Sequence, residues 1–159
     1  GQNYIAWHVV ETKSSLSGAP NELSLYASEG AWTGKSNAMR RYTLRLDGFV
    51  SVNAGWKGGE LVTKPLRFQG NHLDLNFATS AAGSLRVEIQ DANGKPLPGY
   101  KLEDCPLLFG DDIDRTVEWK NGSDVSKLAG KTVRLRFVLK DADLYALKFN
   151  QKDNHVRGR

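Results

Sequence analysis

The chain has a single cysteine, Cys105, in 159 residues, so no internal disulfide can form and nothing points to an oxidising compartment. The same scarcity removes every thiolate zinc cluster. His8, His72 and His155 also lack the His-Glu-x-x-His spacing that brings two imidazoles onto one helix face. No apolar run approaches the roughly 18 residues that a membrane-spanning helix requires. The first residues, Gly1 to His8, do not read as a basic region followed by an apolar stretch. No Gly-x-Ser-x-Gly elbow is present, and Cys105 precedes Pro106 with no evident base, so nucleophilic catalysis has no support. Between its first Gly and its Gly-Lys-Ser, the segment Gly30 to Ser36 has three residues where a phosphate loop needs four. It also lacks the flanking buried strand and helix, and so reads as a plain loop. Long runs of one charge are missing as well. The net charge of +4 is spread thinly, the densest basic spots being Arg40-Arg41 and Arg157 to Arg159. Such a balance permits an acidic polymer as partner without establishing one.

What is present is alternation. In Val133 to Lys140, Val133, Leu135, Phe137 and Leu139 fall on one face, and Arg134, Arg136 and Lys140 on the other, because successive side chains of a strand point to opposite sides. A short helical turn from Asp124 to Gly130 leads into it. Three early segments, Tyr4 to Val10, Glu22 to Ser28 and Met39 to Leu46, read as strands of one small antiparallel sheet. A denser series follows: Phe49 to Asn53, Glu60 to Phe68, His72 to Thr79, Ser84 to Asp91, Arg115 to Lys120, Lys131 to Lys140 and Asp143 to Phe149. Asn93-Gly94 and Asn121-Gly122 place positive-φ residues where tight turns need them, while Pro65 demotes its segment to an edge or a bulge. The predicted fold is all-β: an antiparallel, jelly-roll-like β-sandwich over 48–150, preceded by a small antiparallel sheet over 1–47 and followed by a basic tail over 151–159. Its inner face comprises Leu73, Leu75 and Phe77, Leu85, Val87 and Ile89, the 133–139 row, and Tyr145, Leu147 and Phe149.

Candidate chemistry lies in loops and on outward faces. Trp32 and Trp56 sit in Gly-rich, polar surroundings, where an indole offers a flat face to the CH side of a sugar ring while polar neighbours bond its hydroxyls. Tyr100 and Asp104, in the long loop Gly99 to Asp114, are the next candidates for ligand contact. The bland alternative is that each indole covers a core edge; Trp119, alternating with Val117, is read as core. Asp111, Asp112 and Asp114 could supply hard oxygen ligands to Ca²⁺, but they match no defined calcium loop and equally read as solvated acids; no cofactor is required. An acidic loop alone says nothing of the carboxylate separation a glycosidase needs. The outward rows Arg41/Arg45, Asp74/Asn76, Arg86/Glu88 and Arg134/Arg136 read either as a polar binding face or as a solvated one with weak ion pairs. Aromatic and basic residues do not interleave on one strand face as single-strand nucleic-acid binders require, so that partner is disfavoured.

The segments Arg41 to Val52, Gly59 to Leu66, Gly83 to Pro96, Leu102 to Cys105, Val117 to Lys120 and Asp124 to Phe137, in that order, resemble the C-terminal region of bacterial proteins of the glycoside hydrolase family 32 type. Those proteins pair a five-bladed β-propeller with a C-terminal β-sandwich. The resemblance implies that the early strands are similar to the close of the last propeller blade. Catalytic carboxylates in that family lie in earlier blades, so none carries over to this chain. In that family the attached sandwich is usually structural, while related sandwiches serve as carbohydrate-binding modules; the leading expectation is a secreted, non-catalytic module that binds a polysaccharide or oligosaccharide, including an acidic one, and serves a parent catalytic domain. The alternative implication is a structural lobe that only buttresses a propeller. Whether Trp32 and Trp56 are exposed and share one surface discriminates between the two: both exposed supports binding, both buried supports buttressing.

Overall fold

The structure is a computed structural model that describes residues 2–34 and 37–152. Lys35 and Ser36 of the loop near-match, and residues 153–159 of the basic tail with His155, lie outside the described residues. The chain divides into two compact units, Gly1–Val50 and Ser51–Arg159.

Unit 1 is an antiparallel sheet built from β1 (Gln2–Ile5), β2 (Val10–Thr12), β3 (Glu22–Ala31) and β4 (Ala38–Arg45). β3 is central. Along one edge lies β4, with Leu23 opposite Leu44 and Leu25 opposite Tyr42; the other edge is shared by β1 and β2 in turn. The sequence predicts one strand from Tyr4 to Val10. The backbone instead breaks between β1 and β2, where His8 takes a left-handed φ of 77°, because a single residue in that region ends the pleat. One face of this sheet is held by a polar cluster. The Arg41 guanidinium donates from Nε to Ser24 Oγ at 2.7 Å, and from Nη2 to Thr12 Oγ1 at 2.7 Å and to Glu22 Oε1 at 2.6 Å. Arg41 thus ties together β2, β3 and β4 instead of standing free in solvent.

Unit 2 is organised by two long strands. β5 (Val52–Ala54) and β6 (Gly59–Val62) pair with one edge of β9 (Val133–Asn150), the other edge of β9 pairs with β7 (His72–Asp91), and β8 (Asp111–Thr116) closes the far side of β7. Where alternation predicts two pairs of separate strands, β7 and β9 each run through without a break; the register shifts between Thr79 and Ser84. At that bend Gly83 leaves room that a side chain would not. A Cβ there would lie 2.3 Å from the carbonyl oxygen of Asp141. The sheet curls about this point, so that β7 contributes Leu73, Leu75 and Phe77 from a first layer and Leu85, Val87 and Ile89 from a second to one buried cluster. Leu135, Phe137 and Leu139 of β9 face the same core, opposite Ile89, Val87 and Leu85. Trp119 is buried there, its indole N–H donating to Val87 O at 3.1 Å. The all-β antiparallel sandwich is therefore formed by one curled sheet. After Val62, Thr63 N still donates to Leu135 O, but Pro65 ends the regular pairing and Leu66 makes only an isolated bridge to Val133.

The outward face of the first layer is not the solvated row that alternation suggests. Asp74 is fully buried, accepting from Thr116 Oγ1 and Lys152 Nζ at 2.7 Å each and from Asn150 Nδ2. Burial pushes its carboxyl up, but the hydrogen bonds from Lys152, Thr116 and Asn150 outweigh this and hold it below the ordinary range. Lys152, just beyond β9, is also strapped down through its backbone: its N–H donates to Asn71 Oδ1 and Asn71 Nδ2 donates back to Lys152 O, both at 2.8 Å.

Candidate functional site: the outer face of the second layer

Registers define this face. Ser84, Arg86, Glu88 and Gln90 of β7 lie opposite Lys140, Val138, Arg136 and Arg134 of β9, and Glu60 of β6 lies opposite Val138. Pleating puts all of these side chains on the side away from the core. Next to the Lys140 end, the turn between β5 and β6 presents Trp56, closed by Gly58 N–H donating to Gly55 O at 2.9 Å. Asp141 N–H also donates to Gly55 O, at 3.1 Å, and anchors the turn to β9. Trp56 is 61% exposed, and the Lys140 ammonium lies 4.1 Å from its ring centroid.

The middle of the face is an ion-pair network. Arg136 donates from Nε and Nη2 to Glu60 Oε2 at 3.0 and 2.8 Å, and lies 3.5 Å from Glu88 Oε1, which holds its guanidinium proton more tightly than usual. Glu88 is buried by the loop beyond it, accepting from Gln90 Nε2 at 2.8 Å and from Leu102 N–H at 3.2 Å. Arg134 donates to backbone carbonyls of Ala92 and Thr63. Arg86 differs: its Nε is buried without a hydrogen-bond partner, and it has no ion pair among the described residues. It lines a cleft of about 360 Å³ with Glu103, Asp104, Glu118, Trp119 and Lys120; a second cleft of about 420 Å³ shares the Glu103 wall. Cys105 closes the first cleft from below. It is buried, and burial pushes its thiol pKa up, which keeps it an inert thiol that accepts from Val87 N–H at 3.4 Å.

The sequence-predicted residues fall in several places. Asp104 borders the Arg86 cleft, its carboxylate 3.6 Å from Lys120 Nζ and accepting from Lys101 N–H at 3.3 Å, so it caps a short 3-10 turn (Leu102–Asp104) as well. Tyr100 is half-buried, edge-on to Trp119 at 5.3 Å, with its hydroxyl donating to Asp124 O at 3.0 Å. It lines a different depression, with Asn121, Asp124 and Lys127. Trp32 belongs to unit 1, in the β3–β4 connection, 88% exposed and at a positive φ of 61°. The expected loop acids are in a strand: β8 begins at Asp111, and its pairing with β7 shifts register between Asp112 and Arg115, so the three acids do not follow a single alternation. Asp112 faces Arg115 at 3.6 Å and Asp114 faces Lys148 at 3.3 Å. Among the described residues no three His, Cys, Asp or Glu side chains gather as a metal site.

Sequence reasoning missed Lys140 and the isolation of Arg86. Their outward phase is readable from alternation, whereas the turn that brings Trp56 against Lys140 joins positions 84 residues apart in the chain, as their numbers show. Comparison with protein-family models, curated proteins and solved structures finds no match to this chain.

Proposed function

We propose that this protein is a non-catalytic carbohydrate-binding module. It takes a polysaccharide or oligosaccharide on the outer face of the second layer of unit 2 and acts as a secreted accessory to a glycoside hydrolase. The observation that carries the reading is Trp56: an exposed indole on a rigid turn beside a face of ordered charged and amide side chains. One side of the ring is occupied by Lys140, which leaves the other to stack on a sugar. Arg136, hydrogen-bonded to Glu60 and ion-paired with Glu88, holds both carboxylates in place, so the three supply donors and acceptors at fixed positions without reorganisation on binding. Trp32, also exposed, is a second stacking candidate, in unit 1. The test is affinity electrophoresis against neutral and acidic polysaccharides. Retardation by a polymer that Trp56→Ala abolishes is the expected result; no retardation by any polymer sinks the reading.

A second reading rests on a different observation. Unit 1 leaves Ile5, Trp7, Tyr42 and Leu44 exposed, and its described buried side chains are only Ser24 and Ala27. A sheet so poorly covered suits a lobe that packs on further structure of a parent enzyme, as the resemblance to propeller proteins implies. Full stability of unit 1 on its own, with no loss of amide protection, argues against it.

A further inference from the structure

Resting on the carbohydrate-binding reading, we infer that the ligand is anionic and that Arg86, with Lys140, is its charge anchor. Of the three arginines on the outer face of the second layer, Arg136 is neutralised by Glu60 and Glu88, and Arg134 is engaged by two backbone carbonyls. Arg86 has neither kind of partner, and its Nε is withdrawn from solvent. A buried donor left without an acceptor is uncommon enough in native proteins to call for an explanation. A planar guanidinium with open donors in a cleft matches a carboxylate or sulfate, which it grips bidentately.

Lys140 extends the argument. It lies opposite Ser84, two positions along β7 from Arg86, so the two side chains are diagonal neighbours, about 7–8 Å apart at the backbone. Like Arg86, it has no carboxylate partner among the described residues; its ammonium lies over the Trp56 ring. Two cations without counter-ions and an indole therefore follow one another along the face. That order suits a sugar ring on Trp56 with acidic groups of the polymer directed toward Lys140 and Arg86. Two of the acids around the cleft are already ion-paired: Glu103 lies 3.5 Å from Lys101, and Asp104 lies 3.6 Å from Lys120 on the same cleft. Glu118 is the exception, exposed on the same cleft with no ion pair among the described residues, and it opposes an incoming anion.

The experiment is calorimetric titration of the whole chain with matched polymers: polygalacturonate against its methyl-esterified neutral form, and a sulfated galactan against the unsulfated one. Preference within the first pair identifies a carboxylate ligand, and within the second a sulfate. For the preferred anion Arg86→Gln should weaken binding at least tenfold and flatten its salt dependence, Arg86→Lys should recover only part of the loss, and Glu118→Gln should tighten binding about two- to threefold. Lys140→Gln, at a more accessible position, should weaken it about threefold and guards against a folding defect at Arg86. Equal binding of charged and neutral polymers, lost in Trp56→Ala but unchanged in Arg86→Gln, overturns the anionic assignment and leaves the binding module intact. No binding to any of the four polymers counts against both.

Discussion

The two units are made of the same material and reach different ends. Both are antiparallel, with alternating strands and polar outward residues. Unit 2 curls its sheet until two layers enclose Leu73, Leu75, Phe77, Leu85, Val87, Ile89, Leu135 and Phe137, all without solvent exposure. In unit 1, Leu23 and Leu25 remain half-buried, and Tyr42 and Leu44, directly opposite them, are exposed. Alternation sets a hydrophobic face; only a second layer turns it into a core, because apolar side chains contribute in proportion to the area taken from water. Unit 1 is held to a greater degree by backbone ladders and by the Arg41 cluster. Those polar contacts direct pairing but contribute modestly to stability where solvent reaches them.

The sharpest way to break this comparison is core truncation in each unit. Phe137→Ala should destabilise unit 2 by about 3–5 kcal/mol, whereas Leu25→Ala in unit 1 should cost less than about 1.5 kcal/mol. Urea unfolding monitored by residue-resolved amide exchange reads both, and similar losses would show that unit 1 has a core after all. Next in size is the bend on which the second layer depends. Gly83→Ala should cost about 1–3 kcal/mol because the new methyl meets a backbone oxygen that cannot move alone, while Gly55→Ala, with open space at its Cβ, should stay within about 0.5 kcal/mol. Thermal melts of the two variants suffice.

The Asp74 cluster adds a pH signature to unit 2. The folded carboxyl is held below its unfolded value near 4, so its contribution is present above that pH and is lost as pH falls through the depressed folded value. Lys152→Met should flatten this acid limb of the stability profile and lower stability at neutral pH by about 1–2 kcal/mol, discounted for the partly exposed ammonium. Urea midpoints from pH 6 to pH 2 test it; an unchanged acid limb would remove the cluster from the account. Trp56→Ala, like Gly55→Ala, should change stability by no more than about 0.5 kcal/mol, since its ring is mostly exposed. Loss of polysaccharide retardation by so mild a change would separate a binding residue from a packing one.

Much of the fold was legible because strand alternation is a local property. The inward row Val133, Leu135, Phe137 and Leu139 and its partners Leu85, Val87 and Ile89 could be read from spacing alone, as could the turns at Asn93-Gly94 and Asn121-Gly122. The candidate site was legible only in pieces. Trp56 stands out for its Gly-rich neighbours, but nothing local says that Lys140 will lie over its ring. The acids from Asp111 to Asp114 read as a loop, because adjacent charged residues leave no apolar face to announce a strand; pairing with β7 made them one.

By itself, then, the sequence determined which side chains alternate, where the chain turns, and which chemistries are barred by a lone cysteine and scattered histidines. Tertiary structure decided the rest: that β7 and β9 run unbroken through the bend at Gly83, that Asp74 and Glu88 are covered, and that Arg136 is neutralised while Arg86 is not. The physical reason is range. Pleat and turn are settled by neighbouring residues, whereas burial and charge pairing depend on groups brought together from positions far apart in the sequence of a unit.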